Sequence, residues 1–202
     1  MKWILLDIGE VLIRQRDLQR GIKRLEKKFS IDPKIRYDAI WQLVPQMDRG
    51  VKTFQAPIDL LNKRMKEKNP SYQPITIQDY FDTLYDSRSF NIQLVNFFKR
   101  IKKKANICIF TNNNQANIDK FTVLMDFDSW THGIISSHTF RTAKPHKKLF
   151  QIALQKIHAR PQECILIDDK PAYIAIANAL GIRTCLYQNN AQTIKEINHW
   201  MR

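Results

Sequence analysis

Three apolar segments of this 202-residue chain end in side chains that can hold or transfer a charged oxygen group: Leu5-Leu6-Asp7, Ile109-Phe110-Thr111-Asn112 and Leu166-Ile167-Asp168-Asp169. A lysine, Lys144-Pro145, lies between the last two. A carboxylate straight after a buried strand is costly without a partner. Three carboxylates brought together repel one another unless a divalent cation or a proton compensates. Mg²⁺ takes oxygen ligands, usually one or two carboxylates with waters and substrate phosphate. Alone, Asp7 reads as a strand-terminating turn residue. Taken together, the three ends predict a hard-metal phosphate site, because ligands of open parallel sheets bind outside the carboxyl ends of strands.

Such a site needs strands that stop side by side. Five short apolar runs qualify: Trp3–Leu6, Ile107–Phe110, Gly133–Ser136, Cys164–Ile167 and Thr184–Tyr187. Their length and polar flanks favour strands over buried helix turns. Helical patterns alternate with them. Phe150, Ala153, Leu154 and Ile157 sit at i, i+3, i+4 and i+7, with Pro145 near the helix start. Ile194, Ile197 and Met201 repeat the spacing in the last helix, and Gly181 follows the alanine-rich stretch from Ala172 to Leu180 as a C-cap candidate. This alternation predicts an α/β fold with a parallel sheet covered on both faces.

Residues 14 to 90 break the alternation. Leu18, Ile22, Leu25 and Phe29 form one helical stripe, and Asp32-Pro33 opens a second helix through Tyr37, Ile40, Trp41 and Val44. Thr53 to Lys68 is a third helix, and Ile77 to Tyr85 a fourth with Thr76 as N-cap. The interval reads as a helical insertion after the first strand.

Composition narrows the class. The hydrophobic share is 44% and the charged share 26%, which excludes global disorder and fibrous repeats. No apolar run approaches the ~18 residues of a membrane span. Asp7 cuts the first apolar stretch too short for a signal peptide, and three cysteines without metal-ligand spacing point to a reducing cytoplasm. The net charge of +14 favours phosphorylated partners. Basic residues gather between Arg14 and Arg36 and again at Lys99, Arg100, Lys102, Lys103 and Lys104, where a solvated helix face is the plain reading.

In order along the chain, Asp7-Ile8-Gly9-Glu10-Val11, Thr111-Asn112, Lys144-Pro145 and Asp168-Asp169 resemble the four motifs of the haloacid dehalogenase superfamily. The resemblance spans residues 7 to 182 and implies a Rossmann-like, doubly wound sheet of five strands ordered 5-4-1-2-3. It implies a core of residues 1–13 and 91–202 and a helical cap of 14–90. It also implies roles. Asp7 would be the nucleophile; Asp7, Gly9, Asp168 and Asp169 would hold Mg²⁺; Thr111, Asn112 and Lys144 would hold phosphate. Trp41, Met47, Arg49 and Phe54 are conceivable cap contacts to substrate.

Two positions depart from the pattern. Gly9 stands where the family usually has a second Asp, its acid and base, and Glu10 follows it. The Asp-x-Gly form resembles a subgroup related to sugar-1-phosphate phosphatases. The segment before Lys144 lacks the usual Gly, and His146, in place of an acid, reads as a surface or helix N-terminal residue. The expected function is a Mg²⁺-dependent phosphatase for a small phosphate ester. One alternative is a catalytically weak binding protein with a basic surface, for nucleic acid, although no RNA-binding motif supports it. The other is a metal-independent 2-haloacid dehalogenase, against which the acidic pair argues.

Overall fold

The computed structural model describes residues 1–85 and 90–202. Five parallel strands form one sheet: β1 (Trp3–Leu6), β2 (Asn106–Thr111), β3 (Ile134–Ser136), β4 (Cys164–Asp168) and β5 (Arg183–Leu186). Their order is β3-β2-β1-β4-β5, the expected order read from the opposite edge. The strands outrun the apolar runs at their chemical ends. Thr111 pairs with Ser136, and Asp168 with Leu186, so both belong to the last rungs of the ladder. The sheet itself therefore fixes where these side chains start.

Side chains alternate across the sheet as strand geometry requires. Ile4, Leu6, Ile107, Ile109, Ile165 and Ile167 face one side, packed against α6 (Ile92–Ile101) and α11 (Asn190–Met201). Leu5, Cys108, Phe110, Cys164 and Leu166 face the other, against α9 (Lys147–Lys156) and α10 (Pro171–Ala179). On the first side Phe98 stacks on Trp130, their planes 9° apart. All six residues of β2 are buried, as a central strand covered on both faces should be. Gly181, at φ +78°, ends α10 as a left-handed cap, its N–H on Asn178 O.

Between β1 and α6 the chain builds a separate apolar cluster from α1 (Gln15–Lys28), α2 (Pro33–Ile40), α4 (Gln55–Lys68) and α5 (Ile77–Leu84). Residues 86–89 of the expected cap lie outside the described residues. Asp32 caps α2 through Lys34 and Ile35 amides, and Thr76 caps α5 in a reciprocal pair with Asp79. The expected second helix is split. A 3₁₀ turn, Trp41–Leu43, separates α2 from α3 (Val44–Met47). Pro45 has no N–H to give the Trp41 carbonyl, and the Val44 N–H takes that carbonyl in a tighter turn.

Helices α1 and α5 meet at Gly21, where an added Cβ would fall 1.9 Å from the Leu84 carbonyl oxygen. No side chain fits there without moving a backbone. Gly21→Ala should cost about 1–3 kcal/mol, as overpacking does. Urea unfolding measures it, and an unshifted midpoint would show that the two helices part freely.

Candidate active site

The carboxyl ends of β1, β2 and β4 meet on the side chain of Lys144. Its ammonium is wholly buried and has three N–H groups to satisfy. It donates to Phe110 O at 2.9 Å and to Asp168 Oδ2 at 2.6 Å, and Asp7 Oδ1 lies 3.1 Å away. The rings of Tyr173 and Phe110 flank it at 5.0 and 5.1 Å. Burial opposes the Lys144 charge, but Asp7 and Asp168 outweigh it and hold the ammonium above its ordinary range. Asn112 grips the Lys144 backbone at both ends of its amide. Its Nδ2 donates to Lys144 O at 2.8 Å, and its Oδ1 accepts from Lys144 N at 2.9 Å. Lys144 is thus placed by a loop that β2 holds.

The carboxylates differ in what remains free. Asp7 follows β1, and its N–H donates to Ile167 O at 3.0 Å. Asp168 is fully buried, with Oδ2 on Lys144 and Oδ1 accepting the Lys170 N–H at 3.0 Å. Burial raises its carboxyl above the usual range, while Lys144 pulls it back. Asp169 is different: its Oδ1 is buried without a hydrogen-bond partner. Burial raises the Asp169 carboxyl, and the neighbouring Asp7 charge raises it further. Asp7, Asp168 and Asp169 each offer an oxygen within 4.8 Å of the others. A buried oxygen left unpaired costs about 1–3 kcal/mol. A hard divalent cation that takes oxygen ligands fits that orphaned atom and this donor set.

A cavity of about 230 Å³ opens over these groups. Asp7, Gly9, Thr111, Asn112, Lys144 and Asp169 line it, whereas Asp168 stands behind. All seven residues singled out in the sequence therefore converge. Thr111 Oγ1 accepts from Asn113 Nδ2 at 2.7 Å. A Cβ built on Gly9 would meet nothing closer than Asp7 Oδ2, at 3.8 Å. The left-handed position belongs instead to Glu10, at φ +54°, which also lines the cavity. His146 is the N-cap of α9, as its sequence position suggests.

Tyr85, Asn113, Lys170 and Tyr173 also line the cavity and were not anticipated. Lys170 and Tyr173 carried a signal, since they begin the helix that follows Asp168-Asp169. Tyr85 carried none, because its place depends on how α5 docks. Of the expected cap contacts, Trp41 and Phe54 border a neighbouring chamber. Met47 is buried among the cap's apolar residues, and Arg49 donates to Pro45 O at the surface. Part of the basic surface is spent on structure. Arg36 pairs with Glu26 at 2.7 Å, Lys99 with Asp126 at 3.0 Å, and Lys102 donates to Ser129 O.

A family model described as haloacid dehalogenase-like hydrolase matches residues 58–187. The chain belongs to that family. Asp7 lies outside the matched stretch of this haloacid dehalogenase-like hydrolase, and the sheet brings it to Lys144 and the acidic pair. Bifunctional epoxide hydrolase 2 of Rattus norvegicus is 23% identical over 162 residues, 75% of this chain. The chain covers only 29% of that relative's length. A HAD-family enzyme of Bacteroides thetaiotaomicron, solved in complex with magnesium and inorganic phosphate, has a TM-score of 0.68 at 19% identity, over 93% of this chain and 94% of its own. An L-2-haloacid dehalogenase has a TM-score of 0.62 at 19% identity, over 91% and 83%. These likenesses show the fold. Among the described residues, no helix is long and apolar enough to cross a membrane.

Replacing Lys144 by Met would leave Asp168 buried without its cation. Breaking a buried ion pair from one side typically costs about 3–5 kcal/mol. Denaturant unfolding of Lys144→Met should show a loss of that size, and a loss below 1 kcal/mol, a surface pair's typical worth, would mean water already reaches the pair.

Proposed function

We infer that this hydrolase is a Mg²⁺-dependent phosphatase that cleaves a small phosphate ester through an aspartyl-phosphate on Asp7. The observation that carries this reading is the orphaned Asp169 Oδ1 beside Asp7, with Lys144 between Asp7 and Asp168. Asp7, the Gly9 carbonyl and Asp169 would hold the cation, with Asp168 behind them. Bound Mg²⁺ supplies the charge neutralisation that lets a carboxylate approach a phosphate. Magnesium and phosphate in the Bacteroides thetaiotaomicron enzyme support the same assignment. In a dehalogenase, which needs no metal, Asp7 would attack carbon and the Asp169 oxygen would have no task.

The chain's own groups divide the work. Lys144 holds Asp7 Oδ1, which leaves Oδ2 on the open side of Gly9. Asp7 attacks phosphorus in line; the bond from phosphorus to the leaving oxygen breaks as the carboxylate–phosphorus bond forms. Thr111 holds a phosphoryl oxygen as charge builds on it, and the Lys144 charge, its three N–H groups already engaged, balances that charge from behind Asp7. Water then attacks the same phosphorus, the acyl-phosphate bond breaks, and Asp7 returns to carboxylate with release of inorganic phosphate. The helices of residues 14–90 act as a cap that excludes water from this edge.

Wild-type protein should release phosphate in Mg²⁺ and stop in EDTA, and Asp7→Asn should fold and release none. Calorimetric Mg²⁺ affinity should fall at least tenfold in Asp169→Asn. Full phosphate release by Asp7→Asn would end the covalent mechanism.

Gly9 has no side chain to protonate the leaving oxygen, a contribution typically worth ~10²–10⁴-fold. The proton comes from water or from the substrate's own hydroxyls. Across esters of graded leaving-group pKa, kcat/KM should therefore fall steeply as that pKa rises. The space beside Gly9, with no left-handed φ to forbid a side chain, accommodates Gly9→Asp. That variant should flatten the slope. A slope already flat in the wild type would assign the acid to another group, Glu10 first.

A further inference from the structure

A second chamber of about 160 Å³ lies against the catalytic cavity, roughly the room of five waters in the liquid. The two adjoin, with Leu18, Tyr85 and Asn113 in the lining of both. The walls of the second chamber are apolar and come from the cap helices and the turn between them: Ile22, Ile40, Val44, Phe54 and Leu84, with Trp41 at the outer side. Its polar groups are Asp48, Tyr80, Tyr85, Asn113, Asn114 and Asn117.

Asp48 is held in place by the core domain. Its carbonyl accepts the Ser137 hydroxyl, and His138 Nδ1 meets the Met47 carbonyl at 3.1 Å. Gly50, at φ +64°, packs so closely that an added Cβ would lie 2.7 Å from His138 O. The segment from Met47 to Gly50 is thus pinned to α8 (Ser137–Phe140). Burial pushes the Asp48 carboxyl up to about 7, against hydrogen bonds from Asn114 and the more distant charge of Lys170. A carboxylate has about four lone-pair sites. Asn114 meets part of that capacity, and the side chains of Ile22, Ile40, Val44, Phe54 and Leu84 can meet none of the rest.

We propose that this chamber receives the leaving group of the phosphate ester, and that Asp48 accepts a hydrogen bond from a hydroxyl or ammonium on it. The substrate is then a phosphomonoester of a compact, mostly apolar alcohol that carries one such donor. This rests on the phosphatase reading. A site built to hydrogen-bond a substrate donor rejects the analogue that lacks it far more strongly than an apolar wall rejects a missing methylene.

Three meta-substituted aryl phosphates, compared after correction for the measured leaving-group dependence, test the proposal: meta-aminomethylphenyl, meta-hydroxymethylphenyl and meta-ethylphenyl phosphate. In wild type, at least one donor-bearing ester should exceed the ethyl ester in kcat/KM by about tenfold or more. Whether amine, hydroxyl or both lead identifies the donor. Asp48→Leu should erase the preference. If that variant does not fold, the isosteric Asp48→Asn keeps an acceptor without charge, and it should lose preference for the amine while retaining it for the hydroxyl. Equal kcat/KM for all three in wild type, or a preference that survives Asp48→Leu, overturns the proposal. Calorimetric binding of the three free phenols separates the two readings. Donor-selective binding that depends on Asp48, without Asp7-dependent turnover of any ester, keeps the chamber and ends the phosphatase. Neither binding selectivity nor turnover ends both.

Discussion

The site depends on one buried cation shared among three strands. The Lys144 ammonium takes a main-chain carbonyl from β2, a carboxylate from β4 and the carboxylate that follows β1. Without it, Asp7 and Asp168 would face each other at close range in an apolar surround, where like charges force one group to protonate. With it, a cation lies between them, 3.1 Å from Asp7 Oδ1 and 2.6 Å from Asp168 Oδ2. The same contact explains why Asn112 matters, since its amide holds the Lys144 backbone and so aims the ammonium.

This arrangement separates two carboxylates that look alike in the chain. Asp168 has spent both oxygens on Lys144 and the Lys170 amide, which makes it a support for the lysine. Asp169 keeps a buried oxygen with no partner, a cost the fold tolerates at the position where a cation would remove it. The pair divides into one residue that organises charge and one that offers it. At the other end of the site, Gly9 leaves open space beside Asp7 Oδ2, while Glu10 takes the left-handed backbone that glycine adopts most easily. Holding a non-glycine residue there costs of order 1–3 kcal/mol.

Helices α1 to α5 bury one apolar cluster and the sheet buries one on each face, with a seam between the helical cluster and the sheet. Along that seam the segment around Asp48 is tied to α8, and Tyr85 and Leu18 border both cavities.

Local pattern determined the elements. Short apolar runs with polar flanks identified the five strands, and 3.6-residue spacing with a capping glycine identified α9, α10 and α11, since burial writes itself into consecutive residues, whereas α6 was not anticipated. The same local reading placed Asp7, Thr111, Asn112, Asp168 and Asp169 at strand ends, the family resemblance added Gly9 and Lys144, and parallel topology made the strand ends coincide. It missed the break after Ile40, where Pro45 overrides a continuous apolar stripe. Tertiary structure alone decided the division of labour between Asp168 and Asp169, because it depends on which oxygen meets Lys144. It alone made Asp48 and Tyr85 neighbours of the catalytic edge. The position of Asp48 follows from contacts with α8, about ninety residues on, and that of Tyr85 from its ring meeting Phe121 at 5.1 Å, neither of which a local period encodes.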